Sequence, residues 1–241
     1  MSPRSTNACK AVVLLPTYNE RENLSTIVPE ILAAAPVDVW IFDDNSPDGT
    51  GEIADGLADG NERILVTHRC AKLGLGAAYL DGFRKALDRG YERILEMDAD
   101  FSHPPANLPE LLRLTDEYDL VLGSRWVPGG GTRNWPWYRR LISRGGSWYA
   151  RTCLGVGVHD LTGGFKCFRR EVLEAIDFES VRTTGYAFQI EMTFRAIQRG
   201  FRVVETPITF VEREHGTSKM SRRIVLEAIL KVPGMRIGIR K

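Results

Sequence analysis

The chain has 241 residues, of which 43% are hydrophobic and 26% charged, a composition typical of a globular protein. This length suits one α/β domain with a substantial core and a short tail. The formal net charge of +1 gives no general attraction for nucleic acid, so we expect no nucleic-acid partner, and any anion must be held by local groups of basic residues.

Neither the cysteines nor the apolar runs indicate a secreted or membrane-spanning protein. The four cysteines lack C-x-x-C spacing, which argues against a zinc site, and they suggest no disulfide framework. Residues 1–10 contain no apolar signal core, and no apolar run approaches the roughly 20 residues that a membrane helix needs. We therefore expect a cytoplasmic protein without a membrane-spanning helix.

From residue 11 onward, short apolar runs alternate with segments of helical spacing. The predicted strands are Ala11–Leu15, Val37–Phe42, Arg63–Thr67, Tyr91–Met97 and Leu120–Leu122. The predicted helices between them are Glu20–Ala35, Gly76–Arg89 and Pro105–Glu117. This alternation predicts an α/β fold with a mainly parallel central sheet, of the Rossmann-like nucleotide-binding type.

Polar motifs follow four of these strands. They are Pro16 to Glu20 after the first strand, Asp43 to Ser46 after the second, Asp98 to Asp100 after the fourth and Gly123 to Arg125 after the fifth. In parallel sheets, ligands bind outside the carboxyl ends of the strands. We therefore expect the four motifs to meet in one site.

Beyond Arg125 the alternation weakens. Helices are predicted at Arg139–Leu154 and Phe188–Arg199, and a strand is predicted around Arg202–Val211. The predicted organisation is a flexible N-terminus (residues 1–10), one α/β domain (residues 11–212) and a basic amphipathic C-terminal segment (residues 213–241).

Two carboxylates stand two residues apart where the fourth strand ends. Asp98 and Asp100 can share a divalent cation, and Mg²⁺ commonly takes one or two carboxylates together with substrate phosphates. The alternative is a pair of solvated turn residues, because Asp is frequent in turns. Ser102 is interpreted first as a cap for the helix that Pro104-Pro105 can start, and only weakly as a metal contact.

The acidic segment after the second strand is a candidate nucleotide contact. Asp43 ends a run too apolar for an exposed loop, so its carboxylate is well placed to bond a ribose or a base. Ile41 points to the same face, because side chains alternate along a strand. Ile41 either lines a base pocket or fills the core, and the sequence does not decide between the two.

Between Asp119 and Asp160 the chain contains no acidic residue but several arginines and aromatic residues. They are Arg125, Arg133, Arg139, Arg140, Arg144 and Arg151, with Trp126, Trp135, Trp137, Tyr138, Trp148 and Tyr149 interleaved. Arginines among interfacial aromatics suit an anionic headgroup on an apolar tail. A solvated basic face is the alternative.

The C-terminal segment repeats this pattern. It is basic from Arg213 onward, and it has one apolar stripe formed by Ile224, Val225, Ala228, Ile229 and Val232. Such a segment either docks on the core or lies on an anionic membrane surface. We favour the membrane surface.

Together, the motifs resemble those of glycosyltransferase family 2. They are P-T-Y-N-E (Pro16–Glu20), D-D-N-S-P-D-G-T (Asp43–Thr50), G-L-G-A-A-Y (Gly74–Tyr79), M-D-A-D-F-S-H-P-P (Met97–Pro105) and G-S-R (Gly123–Arg125). Three later segments resemble the dolichol-phosphate mannose synthases, which include the bacterial polyprenol monophosphomannose synthases. They are N-W-P-W-Y-R-R-L-I-S-R-G (Asn134–Gly145), D-L-T-G-G-F-K (Asp160–Lys166) and F-V-E-R-E-H-G-T-S-K-M (Phe210–Met220).

The resemblance implies a GT-A catalytic domain, inverting transfer of mannose from GDP-mannose to a polyprenyl (dolichyl-type) monophosphate, and use of Mg²⁺ or Mn²⁺. The positions that hold the nucleotide sugar in the family correspond to Pro16, Tyr18, Glu20, Ile41, Asp43, Asp98, Ala99, Asp100, Arg213 and Lys219. Of these, Asp98 and Asp100 would bind the metal with the diphosphate. The positions that grip the acceptor phosphate correspond to Arg125, Arg139 and Ser143.

Two departures leave alternatives open. Some archaeal relatives carry a metal-binding Gln where Ser102 stands, so the choice between Mg²⁺ and Mn²⁺ is not settled. Other relatives continue into transmembrane helices. The resemblance here implies a peripheral protein on the cytoplasmic face of a membrane, which docks alone or through a separate membrane-anchoring subunit.

A phosphate acceptor also determines the expected chemistry. A phosphate monoester, with its second pKa near about 6, is largely a dianion at neutral pH and needs no general base. The predicted catalytic groups are therefore Asp100 on the leaving-group side, through the metal, and Arg125 and Arg139 on the nucleophile.

Three rival functions remain. One is transfer of glucose from UDP-glucose to a polyprenyl phosphate. Another is transfer to a saccharide or protein hydroxyl, which should require a carboxylate base near the arginine-rich stretch, where none is found. The third is a sugar-nucleotide-binding subunit without turnover.

Overall fold

The computed structural model describes residues 10–181, 183, 185–212 and 230–236. Its strands, in chain order, are β1 (Ala11–Thr17), β2 (Asp38–Asp43), β3 (Ile64–His68), β4 (Arg93–Glu96), β5 (Leu120–Ser124), β6 (Gly131–Arg133), β7 (Lys166–Arg169), β8 (Val203–Pro207) and β9 (Thr209–Val211). All five strands predicted in the first half of the chain are present. The predicted strand at Arg202–Val211 is divided into β8 and β9.

Seven of these strands form the central sheet, in the order β3-β2-β1-β4-β7-β5-β8. All neighbouring pairs are parallel except those of β7, which runs antiparallel to both β4 and β5. A second, two-stranded parallel sheet joins β6 to β9. The predicted mainly parallel α/β architecture is confirmed.

The helices are α1 (Arg21–Ala34), α2 (Thr50–Ala58), α3 (Leu75–Asp88), α4 (Leu108–Leu114), α5 (Trp137–Leu154), α6 (Arg170–Glu174) and α7 (Gly185–Gln198). The helix predicted at Pro105–Glu117 is a short 3₁₀ turn (Pro105–Asn107) followed by α4. Both the 3₁₀ turn and α4 have a proline in their first turn. Proline has no N–H to donate within a continuous helix, but it is tolerated in a first turn, where that N–H would have no partner in the helix.

The two faces of the sheet are both buried, each under its own apolar cluster. Val12 and Leu14 of β1 belong to the first apolar cluster, whereas Val13 and Leu15 belong to the second. This is the period of two expected for a strand, and burial of both faces explains why β1 is apolar throughout.

Part of the predicted C-terminal segment is described. Residues 230–236 are helical, and Val232 and Met235 are 0% and 6% exposed within the first cluster. Arg236 Nη1 donates a hydrogen bond to the Cys153 carbonyl at the end of α5 (3.3 Å). For this part the docked alternative holds, while the rest of the stripe, and the membrane role proposed for it, lie outside the described residues.

None of the helices in the described ranges is long and apolar enough to cross a membrane. The proposed division at residues 10 and 212 stays a prediction.

Candidate functional site

The parallel sheet brings the first two motifs together. Thr17 at the end of β1 is in register with Asp43 at the end of β2, and the Asp44 N–H donates to the Thr17 carbonyl (3.0 Å). Further along, the Glu20 N–H donates to Thr50 Oγ1 (3.0 Å). The segment that carries Pro16, Tyr18 and Glu20 is thus hydrogen-bonded to the segment that follows Asp43.

The Asp43 carboxylate is held by this loop. It accepts hydrogen bonds from Thr17 Oγ1 (3.2 Å), Ser46 Oγ (2.5 Å) and the Ser46 N–H (3.1 Å), and it is 2% exposed. Ile41 is 0% and Ala99 2% exposed, both within the second apolar cluster. This burial favours the core-filling alternative for Ile41, and its predicted contact with the nucleotide stays a prediction.

Two cations that sequence reasoning missed lie beside this loop. Arg69, after β3, forms an ion pair with Asp44, and both side chains are 9% exposed. Burial raises the pKa of Asp44, and the charge of Arg69 opposes this rise. Lys72 Nζ lies 3.7 Å from the centre of the Tyr18 ring. The available signal was their position after the third strand, at the edge where the other motifs end.

The Asp98-Ala99-Asp100 turn has a defined internal geometry. Asp100 Oδ1 accepts hydrogen bonds from the Ser102 N–H (3.1 Å) and Ser102 Oγ (2.5 Å). Phe101 between them has a φ of +60°, a conformation that costs energy for a bulky residue and that clusters at functional sites. Asp100 is 5% exposed, whereas the side chain of Asp98 is 36% exposed.

The capping role predicted for Ser102 is wrong. The 3₁₀ turn at Pro105 begins without a side-chain cap. The Ser102 hydroxyl is instead directed at Asp100, because the turn at Phe101 brings the two side chains together. Ser102 therefore fixes one oxygen of the predicted metal-binding carboxylate.

His103 supports the same turn from below. Its Nδ1 accepts a hydrogen bond from the Asp98 N–H (3.2 Å), and its ring stacks on Phe165 with centroids 5.1 Å apart. Burial lowers the pKa of His103 to about 4, so the ring is neutral near pH 7 with its proton on Nε2. Its signal in the sequence was its place directly after Ser102.

The donor set of this turn fits a hard divalent cation that is completed by substrate. Within the described part of the chain, no three His, Cys, Asp or Glu side chains converge to hold a metal ion. The metal ligands that Asp98 and Asp100 offer are carboxylate oxygens. Mg²⁺ is usually bound in this way, through one or two carboxylates with phosphate and water making up the rest.

The predicted acceptor residues Arg139 and Ser143 lie four residues apart on α5 and therefore share one helix face. The Arg139 guanidinium lies 4.4 Å from the centre of the Trp135 ring and forms an ion pair with Glu212. Further along this face, Ser147 Oγ lies 3.2 Å from Thr162 Oγ1. The face is directed towards the D-L-T-G-G-F-K loop.

Arg125, the third predicted acceptor residue, is held in a different way. Its Nε and Nη2 donate to the two carboxylate oxygens of Asp160 (2.7 Å each), and Nη2 also donates to Thr162 Oγ1 (3.0 Å). The side chains of Arg125 and Asp160 are 6% and 0% exposed. Much of its hydrogen-bonding capacity is therefore used within the protein, and direct contact with a phosphate stays a prediction.

The segment Phe210–Glu212 connects the two halves of the site. The Val211 N–H donates to the Ser102 carbonyl (3.3 Å) beside the Asp98 turn. The Phe210 ring packs edge-on against both His103 (5.3 Å) and Trp135 (5.0 Å). Arg213 and Lys219, which are predicted to bind the diphosphate, lie outside the described residues.

The model of the family described as glycosyl transferase family 2 matches residues 12–177. The polyprenol monophosphomannose synthase of Mycolicibacterium smegmatis is 54% identical over 226 residues, which are 92% of this chain and 85% of that protein. The undecaprenyl-phosphate mannosyltransferase of Micrococcus luteus is 49% identical over 232 residues, 96% of each chain.

Among solved structures, glucosyl-3-phosphoglycerate synthase from Mycobacterium tuberculosis has a similar fold. Its complex with Mn²⁺, UDP-glucose and phosphoglyceric acid has a TM-score of 0.69 at 19% identity, covering 97% of this chain and 81% of that one. Its complex with Mg²⁺ and UDP has a TM-score of 0.67 at 20% identity, covering 94% and 80%.

The sheet order, the strand-end motifs and the family match together confirm the GT-A fold and the resemblance found in the sequence. The chain belongs to glycosyltransferase family 2, within the group that contains polyprenyl-phosphate mannosyltransferases.

Proposed function

We propose that this protein transfers mannose from GDP-mannose to a polyprenyl monophosphate, with inversion at the anomeric carbon, giving polyprenyl-phosphate mannose and GDP. The names of the two relatives at 54% and 49% identity support the mannosyl group and the lipid phosphate. The observation that carries the proposal is α5, which presents Arg139 and Ser143 on one face and large apolar side chains on the opposite face.

The donor half of the site is the Asp98 turn with the loops after β1 and β2. Asp98 and Asp100 would hold Mg²⁺ or Mn²⁺, which would neutralise charge on the leaving diphosphate. Ser102 fixes Asp100, and His103 fixes the backbone of Asp98. Arg213 and Lys219 are proposed to add positive charge to the same diphosphate.

The acceptor half is the inner face of α5. Arg139 and Ser143 are proposed to bind the phosphate, which attacks the sugar as a dianion and needs no base. Arg125 lies behind them, 5.5 Å from the Trp135 ring on which Arg139 rests. Its pair with Asp160 is proposed to hold the Trp135 ring in place and thereby to orient Arg139. The bound phosphate would then be aligned with the sugar that it attacks.

The outer face of α5 is proposed to contact the membrane that carries the acceptor. Trp137, Leu141 and Trp148 lie on this face and are 73%, 64% and 65% exposed. The exposed Arg140 and Arg144 flank them, and α5 contains no acidic residue. Aromatic and basic side chains in this arrangement suit the interface of an anionic bilayer. We infer peripheral association with the cytoplasmic face of the membrane. The protein would dock there through α5 alone or together with a separate anchoring subunit.

Two substitutions separate the halves of the site. Asp100→Ala should lower transfer by at least about 100-fold, the loss typical of removing a group that stabilises developing charge, and should abolish the metal-dependent part of GDP-mannose binding. Arg139→Ala should leave GDP-mannose binding unchanged and raise the KM for polyprenyl phosphate by about 10-fold or more. Steady-state kinetics and calorimetric titration with GDP-mannose, with and without Mg²⁺, measure both effects.

Arg140→Ala is the matched control, because Arg140 is the next residue of α5 and is exposed. In detergent micelles that lack charge, it should leave both constants at parental values. Full transfer by Asp100→Ala, or parental acceptor kinetics in Arg139→Ala, contradicts the assigned half of the site.

A further inference from the structure

The Arg139–Glu212 ion pair joins α5 to the residue that follows β9. It uses one guanidinium nitrogen, Nη1, and one carboxylate oxygen, Oε1. Arginine carries five N–H donors in a rigid plane. A contact through one nitrogen therefore engages only part of the guanidinium.

Both partners are connected to the β6–β9 sheet, Glu212 directly and Arg139 through Trp135. The Glu212 N–H donates to the Arg133 carbonyl (3.1 Å), which extends the β6–β9 pairing by one residue. On the other side, Arg139 rests on Trp135, which is 7% exposed and packs against Phe210. Arg139 thus lies between an aromatic ring that packs against β9 and a carboxylate whose backbone extends the β6–β9 pairing.

We infer that Glu212 is a positioning residue that orients Arg139 for the acceptor phosphate, an inference that rests on the proposed function. Fixing a long, flexible side chain costs conformational entropy, and a residue fixed before binding spares the ligand that cost. The Glu212 carboxylate thereby increases acceptor affinity without touching the acceptor itself.

A purely structural role for Glu212 fits the observations less well. Its second oxygen, Oε2, is inaccessible to solvent and has no hydrogen-bond partner in the described ranges. A buried carboxylate oxygen without a partner costs folding free energy. Within the described residues no second contact of the carboxylate balances this cost, and its contact with Arg139 gives it a role in orienting that side chain.

The opposite role would be competition, in which Glu212 must be displaced from Arg139 before phosphate binds. The two roles predict opposite signs for the same measurement. If Glu212 positions Arg139, its removal raises the KM for the acceptor. If it competes with the phosphate, its removal lowers that KM.

The test uses the full chain with Glu212→Ala, Glu212→Gln, Arg139→Ala and the Glu212→Ala/Arg139→Ala double variant, assayed with GDP-mannose and a short polyprenyl phosphate. Glu212→Ala should raise the acceptor KM by about 10-fold, the effect of leaving one long side chain to be ordered by the ligand. Glu212→Gln keeps an oxygen acceptor for Arg139 and should restore most of the loss. The double variant should be no worse than Arg139→Ala, because Glu212 acts only through Arg139.

The KM for GDP-mannose should stay within about twofold of the parent in Glu212→Ala, since the positioning effect concerns the acceptor alone. Asp116→Asn, which alters an exposed carboxylate paired with Arg93 outside the site, is the control and should behave as the parent. An unchanged or lower acceptor KM in Glu212→Ala, or full additivity in the double variant, overturns the inference while leaving the proposed function intact. An Arg139→Ala variant with parental acceptor kinetics instead refutes the acceptor assignment, and the inference with it.

Discussion

At the scale of single residues, the Arg125–Asp160 pair shows how the arginine-rich stretch is anchored. Burial acts to lower the pKa of Arg125 and to raise that of Asp160, but the opposite charge and the hydrogen bonds outweigh burial. The pKa of Asp160 therefore lies below its ordinary value and that of Arg125 above it. Both groups are charged near pH 7 and are costly to separate.

Asp160→Asn should lower the free energy of unfolding by about 3–5 kcal/mol, because it leaves the buried Arg125 charge without a counter-ion. Glu110→Gln, in an exposed pair with Arg113, is the control and should leave stability close to that of the parent. Urea unfolding followed by tryptophan fluorescence measures both variants. Equal stability of the two variants would contradict a structural role for the buried pair.

The same pair predicts the sign of the pH dependence. The carboxyl of Asp160 has a lower pKa in the folded protein than its ordinary value of 3.8. The contribution of Asp160 to the free energy of unfolding is therefore fully present above pH 3.8. It is lost as the pH falls from 3.8 through the lower pKa of the folded protein. Asp160→Asn should show a smaller loss of stability over this range than the parent.

The residues of the site differ in how far the sequence could reveal them. Asp98 and Asp100 were located by their spacing at the end of an apolar run, and the resemblance located Arg139. The partners of Arg69 and Glu212 could not be read from the sequence, because Asp44 and Arg139 come next to them only through the fold. The buried pairing of Arg125 also required the structure, since Asp160 is 35 positions away.

At the scale of elements, α5 is proposed to have two functions on opposite faces. Ser143 and Ser147 face the protein, whereas Trp137, Leu141 and Trp148 face outward. The sequence predicted both the helix and its mixture of arginine and aromatic residues. The sequence could not show which aromatic side chains face the protein and which face outward. Trp135 is buried, whereas Trp137, two residues later, is exposed.

The triple variant Trp137→Ala/Leu141→Ala/Trp148→Ala should bind vesicles containing phosphatidylglycerol at least about 10-fold more weakly than the parent. Each substitution removes apolar surface that binding to the membrane would bury. Co-sedimentation with vesicles measures this binding. Leu73→Ala is the control, since Leu73 is 67% exposed but lies outside α5. Parental binding by the triple variant would contradict the membrane-facing role of α5.

Other elements show where prediction from pattern fails. The segments β7 and α6 are only four and five residues long, too short to display a period. Pro207 ends β8 and cannot donate a hydrogen bond to a strand ladder, so the apolar pattern up to Val211 concealed a change of sheet. The long, periodic α1, α3 and α7 were predicted to within three residues at each end.

At the scale of the whole molecule, the parallel sheet explains why motifs far apart in the chain form one site. Thr17, Asp43 and Ser124 end strands that run in the same direction, and the Asp98 turn follows β4 at the same edge. The β6–β9 sheet then connects that edge to α5. The fold thus places the Asp98 turn and α5, the proposed diphosphate and acceptor sites, on two sides of Phe210.

The most direct test of the proposed function is a transfer assay with the purified full chain, Mg²⁺, polyprenyl monophosphate and either GDP-mannose or UDP-glucose. Lipid products are separated and the anomeric configuration of the transferred sugar is determined by NMR. We predict a mannosyl lipid of inverted configuration with GDP-mannose and no lipid product with UDP-glucose. A glucosyl lipid from UDP-glucose without a mannosyl product, or no glycosyl lipid from either donor, would contradict the proposed function.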